Sequence, residues 1–318
     1  METAKPVIHV VAGVLADRNG RVLIAQRPAG KHLAGSWEFP GGKSAPQESS
    51  LEALRRELSE ELGVQTRQAR PLIRYRHAYP EFAVDLDVWR VESWSGEPRS
   101  LEGQALDWVM PNQLMEHDLL PADRPVALAL LLPESYLITG TIGSDDELRM
   151  RLGAALERGA KLVQLRVPNT TRPDLERLAG IAAADTSACS CSLLINGEPR
   201  AAYEVARQVH AAGIHVPSRY LSAIPSRPVP ESALMGASVH NASELADAVR
   251  LRADFAVLGP VLATASHPDA PTLGWQGFER LVSGQPLPVY ALGGVSEAHL
   301  HLAWKAGAQG VAGISAFW

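Results

Sequence analysis

Cysteine is almost absent from this chain, with two residues, Cys189 and Cys191, in 318. A pair separated by one position frames no disulfide scaffold. No histidine or cysteine stands nearby at zinc-finger spacing, so both read as reduced thiols. Long apolar runs are missing too, and nothing approaches the ~20 residues a membrane-spanning helix needs. Met1–Pro6 carries neither a basic region nor an apolar core before a small-residue cleavage site, so the expectation is a cytoplasmic protein with no membrane partner. Charge of one sign is also lacking. The formal net charge of -5 gives no broad electrostatic reason to hold nucleic acid directly. A small anionic substrate stays compatible, because it needs only a local cationic pocket and a metal. Repeats and low-complexity tracts are absent.

What is present is enough apolar residue, 46% of the chain, to bury a core in each of two halves. In the first half, Val7–Ala16 and Arg21–Arg27 read as strands about an Asp17-Arg18-Asn19-Gly20 turn, which suits a tight hairpin. A glycine-bearing loop, Pro28–Lys43, leads to a helix from about Glu48 to Leu62. Leu51, Leu54, Leu58 and Leu62 line one face of it, and Gly63 is placed to cap it. Phe82, Val84, Leu86 and Val88 alternate as a half-buried strand, the Ser95–Pro98 turn follows, and Leu106–Val109 is a short strand. A short helix, Asp123–Leu132, closes this half, with Asp123 as its cap. Pro133-Glu134-Ser135 marks the boundary, giving domains 1–133 and 134–318.

The second half changes rhythm. Eight short apolar runs alternate with helical stretches: Tyr136–Thr139, Lys161–Val167, Ser192–Asn196, Gly213–Pro217, Leu234–His240, Phe255–Val261, Pro288–Gly294 and Gly310–Phe317. That alternation predicts a parallel (β/α)8 barrel, with a doubly wound open sheet as the alternative. Pro225–Pro230 reads as an irregular loop in place of a regular helix.

Chemistry concentrates in the first half. Glu57, Glu60 and Glu61 fall at i, i+3 and i+4, on one helix face, where three like charges repel. A solvated acidic face is one reading. A divalent cation held between them is the other, since carboxylate oxygens suit Mg²⁺ and its phosphate partners. The longer pattern decides between them: Gly42, Glu48, then Arg56-Glu57-Leu58-x-Glu60-Glu61-x-Gly63-Val64 resembles the complete Nudix box. Trp37-Glu38-Phe39-Pro40-Gly41-Gly42-Lys43 is similar to the MutT branch, which includes 8-oxo-dGTP diphosphatases, and the likeness covers residues 5–132. The resemblance implies an α/β/α sandwich and an enzyme that cleaves a nucleoside triphosphate to the monophosphate and pyrophosphate. It implies Mg²⁺, with Mn²⁺ as the alternative, on Glu57, Glu60, Glu61 and the Gly41 carbonyl. Arg56 orients a glutamate, and Glu102 is a further acidic ligand or base, so that Glu57 and Glu102 both stand as candidates for the general base. Arg27 and His32 match positions that contact the nucleotide at phosphate, and Glu38, Phe39, Pro40 and Gly41 match the loop lying against it. Asp123 stands where the branch has an asparagine that reads the purine edge. An ionised aspartate only accepts hydrogen bonds, so this departure bears on substrate choice. Ala45 and Gln47 depart from a common acidic residue and a common glycine.

Across residues 136–317, Gln164-Leu165-Arg166, Leu194-Ile195-Asn196, Gly213-Ile214-His215-Val216, Gly259-Pro260-Val261, Ala291-Leu292-Gly293-Gly294 and Gly313-Ile314-Ser315 follow the order seen in thiamine phosphate synthase and its TenI relatives. The resemblance implies that Gly293, Gly294, Gly313 and Ser315 hold the phosphate of a small ligand. Synthase positions are altered. Pro168 replaces a lysine, Gly197 an aspartate and Pro260 the TenI histidine, and the Val216–Arg219 stretch lacks an acidic metal ligand. His240, His267 and His299 read as structural or exposed. The expectation is therefore a nucleotide hydrolase carrying a degenerate barrel. The alternatives are a bifunctional thiamine-metabolism enzyme that hydrolyses thiamine or pyrimidine diphosphates, and a non-catalytic sensor.

Overall fold

This computed structural model describes residues 5–264, 269 and 271–318, so His267 and Met1–Ala4 lie outside the described residues. The chain divides into two compact units, one running to Leu131 and including Ser283–Pro286, the other comprising Leu132–Val282 and Leu287–Trp318.

The first unit is built from β1 (Val7–Leu15), β2 (Val22–Gln26), β3 (Trp37–Glu38), β4 (Gly41–Lys43), α1 (Ser50–Leu62), β5 (Gln65–Ala78), β6 (Ala83–Ser95), β7 (Leu106–Val109) and α2 (Arg124–Leu131). The strands form one sheet of order β4-β1-β6-β5 and a second of order β3-β2-β7. The expected hairpin does not form as a ladder. Only Ala16 and Val22 bridge, and β2 crosses to the second sheet to pair with β7 and β3. Two short strands, β3 and β4, lie inside the stretch read as loop, because β2 and β1 supply partners that local sequence does not reveal. Strand β5 was not expected either. Its arginines and Pro71 obscure any alternation, and it is held by antiparallel pairing with β6 along its length, with register shifts near Thr66 and Pro71.

Helix α1 begins later than the acidic run implied, at Ser50. Ser49 caps it in a reciprocal box with Glu52, which satisfies N–H groups that would otherwise lack partners. Gly63, with φ 70°, ends it in a left-handed cap. Ala53, Leu54, Leu58 and Leu62 are fully buried against Val11, Leu15, Leu23 and Val91, each leucine contributing ~1.5–3 kcal/mol. This packing fixes the helix's rotation, so its glutamate face has a defined direction.

The second unit closes β8 (Ser135–Ile138), β9 (Leu162–Leu165), β10 (Ser192–Asn196), β11 (Gly213–Val216), β12 (Leu234–Val239), β13 (Phe255–Leu258), β14 (Val289–Leu292) and β15 (Gly310–Gly313) into an eight-stranded parallel barrel. All eight expected runs became strands. The helices between them are α3 (Asp145–Glu157), α4 (Arg172–Ser187), α5 (Pro199–Gln208), α6 (Ser218–Leu221), α7 (Ala242–Arg250), α8 (Gly274–Val282) and α9 (Leu300–Lys305). The four-residue α6 gives way to the irregular stretch that the prolines implied. Alternate strand residues face two cores. Val163, Leu165, Ile195 and Ile214 join the larger cluster, whereas Tyr136, Leu162, Leu194, Phe255 and Tyr290 fill a second one.

Within that filling runs a buried polar chain. Gln164 Nε2 donates to Tyr136 Oη at 3.1 Å, Tyr136 Oη meets His215 Nδ1 at 3.1 Å, and His215 Nε2 meets Ser238 Oγ at 2.8 Å. Burial lowers the His215 imidazole from its ordinary 6.5 to about 3, so it is neutral. Between those values the unfolded chain binds a proton that the folded chain refuses, and stability is lost as pH falls below about 6.5. The expected result is that urea denaturation of wild type at pH 5 shows a clear loss relative to pH 7, and that His215→Gln flattens this dependence. An equal pH slope in both proteins would refute the assignment.

Candidate active site

The site is organised around one guanidinium. Arg56, on α1, grips Glu48 with two parallel bonds, Nε to Oε1 and Nη2 to Oε2, both 2.9 Å. Its Nη1 donates to Glu57 Oε1 at 2.8 Å and to Glu60 Oε2 at 3.2 Å, and its Nη2 reaches the Lys43 carbonyl at 3.1 Å. Helical spacing brings Glu60 within reach, while Glu48 and Lys43 come from the chain preceding the helix. The forked donor suits this geometry, and charge-assisted bonds of this type are the strong ones. The bonds from Arg56 and from the Ala45 N–H pull the Glu48 carboxyl down to about 2, and the bonds to Glu48 and then Glu57 raise the Arg56 pKa. The like-charge repulsion along α1 is thus met by an arginine on the same helix.

Beside this hub lies a cavity of about 650 Å³. Two glycines allow its wall to form. A Cβ on Gly41 would stand 2.1 Å from the Val11 carbonyl oxygen, and one on Gly42 would stand 2.3 Å from Glu57 Oε2. The Glu57 carboxylate therefore lies directly over the Gly42 backbone. Glu61 lines the same wall and accepts from the Gly41 N–H at 3.0 Å. Burial is the main reason its pKa rises to about 7, with Glu102 and Glu38 adding to the rise. Glu38 is also raised by burial, against the opposing effect of Arg27, with which it is hydrogen-bonded.

The cavity joins most of the residues singled out in sequence: Arg27, His32, Glu38, Phe39, Gly41, Glu57, Glu61, Glu102 and Asp123 all line it. Pro40 is not among its lining residues and instead accepts from the Gly13 N–H. Arg56 acts from behind through Glu57. Glu60 is also absent from the lining, with a side chain 57% exposed and turned to Arg56. Among the described residues, no three acidic, histidine or cysteine side chains converge closely enough to hold an ion as they stand. The donors nonetheless fit a hard divalent cation by type, because Glu57 and Glu61 crowd anionic oxygens against a glycine backbone at a cavity wall.

Three placements differ in character from what sequence implied. Arg27 is committed: its Nε donates to the His32 carbonyl at 2.8 Å and its Nη1 pairs with Glu38. The His32 ring stands edge-on to Tyr79 and Phe82, with centroids 5.4 and 5.5 Å away, in an aromatic wall. Asp123 directly precedes α2. It belongs to a short 3-10 turn, Pro121–Asp123, is 4% exposed, and accepts from the Phe39 N–H. Burial foremost, then the nearby Glu38 charge, holds its carboxyl well above the ordinary range, so the protonated form is favoured relative to an aspartate in water. Tyr79, Phe82 and Lys31 line the cavity as well and were missed. Tyr79 and Phe82 flank a turn that local pattern does not mark, and Lys31 lay in a loop. Gln47 adopts φ 68°, the left-handed conformation glycine favours.

In the barrel, Gly293 and Gly294 have φ 97° and 65° and follow β14. A Cβ on Gly293 would meet Pro260, and one on Gly294 would stand 2.4 Å from the Ala263 carbonyl oxygen, so close packing alone requires both. Gly313 faces the Phe317 ring, and Ser315 is exposed. His240 bonds to Glu244 and His299 to Ser296, so each serves a local turn.

Comparison with known proteins agrees with this division. Residues 11–129 match the NUDIX domain family, and residues 135–317 match the thiamine monophosphate synthase family. The chain is 38% identical over 125 residues to a CTP pyrophosphohydrolase of Escherichia coli, covering 39% of this chain and 92% of that protein. It is 39% identical over 99 residues to an 8-oxo-dGTP diphosphatase of Proteus vulgaris, covering 31% and 88%. Over 186 residues it is 32% identical to a putative thiamine-phosphate synthase 2 of Aquifex aeolicus, covering 58% and 98%. The chain belongs to the Nudix hydrolases through its N-terminal part and to the thiamine monophosphate synthase family through its C-terminal part.

Because a Cβ at residue 42 displaces Glu57, Gly42→Ala should lower the turnover of this Nudix hydrolase unit by about 100-fold while leaving the circular dichroism spectrum intact. Near-normal turnover in a folded Gly42→Ala protein would show that the position of Glu57 does not matter.

Proposed function

We propose that the N-terminal unit, assigned to residues 1–133, cleaves nucleoside triphosphates, oxidised purines such as 8-oxo-dGTP among them, to the monophosphate and pyrophosphate. The observation that carries this reading is the Arg56 hub holding Glu57 over Gly42 at the wall of the large cavity. Glu57, Glu60, Glu61 and the Gly41 carbonyl are the assigned holders of Mg²⁺ or Mn²⁺. Such an ion, when bound, neutralises phosphate oxygens and makes water a better nucleophile. Arg56 occupies Glu57 Oε1, which leaves Oε2 as one proton acceptor, and Glu102 is the other candidate base. As a water oxygen bonds to phosphorus, the bridging P–O bond breaks in line, the water's proton passes to that carboxylate, and pyrophosphate departs. The aromatic wall of His32, Tyr79 and Phe82 supports a stacking role toward the base.

Asp123 bears on which base is chosen. Burial pushes its carboxyl well above the ordinary range, toward the protonated form, which like an asparagine amide can both donate and accept. Likeness to both a CTP and an 8-oxo-dGTP hydrolase keeps a pyrimidine reading beside the purine one. Steady-state kinetics with 8-oxo-dGTP, dGTP, CTP and thiamine diphosphate in Mg²⁺ are expected to show Glu57→Gln at least ~1000-fold slower on every substrate that wild type turns over, a loss of about 4 kcal/mol of barrier lowering. Asp123→Asn should keep its preferred nucleotide, and Asp123→Leu should lose the discrimination. Near-wild-type rates in Glu57→Gln would overturn the site, and unchanged discrimination in Asp123→Leu would remove Asp123 from base recognition.

The barrel, assigned to residues 134–318, is proposed to hold a phosphorylated small ligand near Gly293, Gly294, Gly313 and Ser315 without synthase activity. Pro168, Gly197 and Pro217-Ser218 support this, since none supplies a lysine to pair with a diphosphate or a carboxylate to hold its metal. The pure protein is expected to form no thiamine phosphate from the pyrimidine diphosphate and thiazole phosphate. Detectable product would favour a bifunctional thiamine enzyme instead.

A further inference from the structure

A polyphosphate entering the N-terminal cavity meets walls that carry Glu38, Glu57, Glu61 and Glu102. Arg27, the arginine on that wall, is spent on Glu38 and on the His32 carbonyl. Lys31 is placed differently. It lies on the loop between β2 and β3, whose base is pinned by Arg27 N–H to the Ser36 carbonyl and Gly35 N–H to the Arg27 carbonyl. Its Nζ stands 4.0 Å from Glu102 Oε2, an ion pair with no direct hydrogen bond, and the two side chains are 49% and 48% exposed. Its charge is also felt at Glu38 and Glu61. An exposed pair of this kind contributes little to stability, so it dissolves cheaply. A lysine is a compact charge on a flexible stem, able to exchange one anion for another.

We propose that Lys31 is an exchangeable cation of this cavity, whose lining also includes Lys43: it neutralises Glu102 in the cation-free protein, competes there with a divalent ion, and turns to the phosphate chain of the nucleotide. The proposal rests on the metal-dependent hydrolase reading above and adds to it a residue whose partner changes during the cycle. It also gives the loop carrying Lys31 a purpose that Arg27, locked at its base, does not supply.

Two titrations of the full chain test it, neither of which measures turnover. Free Mn²⁺ is followed by electron paramagnetic resonance without nucleotide, and CTP binding by equilibrium dialysis in EDTA. Lys31→Met, a change on an exposed loop, should bind Mn²⁺ about threefold more tightly and CTP about threefold more weakly than wild type. Lys31→Arg, which keeps the charge, should restore both constants. Should Lys31→Met leave either constant unchanged while wild type binds Mn²⁺, the role of Lys31 is refuted and the metal site stands. A wild-type protein that takes up no Mn²⁺ defeats the metal reading, and this proposal with it.

Discussion

The forked contact of Arg56 with Glu48 and Glu57 is the constraint on which the N-terminal site depends. A helix that presents Glu57, Glu60 and Glu61 on one face is electrostatically burdened, and without a counter-charge those side chains would spread into solvent. One guanidinium relieves the repulsion and also sets direction. Its two bonds to Glu48 fix the plane of the fork, and the remaining nitrogen then aims at Glu57. The glycine at 42 completes the constraint by leaving room for the carboxylate to lie flat on the backbone.

Around this hub the cavity has two chemical halves. Acidic oxygens gather where the backbone is bare, at Gly41 and Gly42. Aromatic and aliphatic side chains, among them Phe82, Val84 and Leu86, line the same cavity. A nucleotide has the same two halves, a charged tail and a flat apolar base. Burial does chemical work in both. It lifts the pKa of Glu61 to about 7 and pushes that of Asp123 well above its ordinary range, so both carboxyls hold a proton more readily than they would in water.

The barrel shows a different use of polar groups. Its interior is closed by three aromatic rings and threaded by Gln164, Tyr136, His215 and Ser238, each satisfying the next. A buried network in which every member finds a partner rigidifies a core. Pairing Gly293 and Gly294 with the 260–263 segment adds a second rigid feature at the end of β14.

Much of this was legible in sequence because the signals are local. Eight alternations of strand and helix specify a parallel barrel, since each βα unit must return the chain to the same sheet. The Nudix spacing declares itself because helix geometry forces Glu57, Glu60 and Glu61 onto one face. What sequence by itself determined was therefore the two families, the barrel strands and the identity of the acidic cluster. Tertiary structure alone decided the rest. Strand β5 exists because β6 offers it a partner, and β3 and β4 because β2 and β1 do. Glu60 faces Arg56, not the cavity, Arg27 closes a loop, and His32 joins an aromatic wall with residues nearly fifty positions away. The Asp123 carboxyl is pushed well above its ordinary range because burial removes the water that would stabilise its charge, and burial is a property of the assembled chain that no local pattern contains.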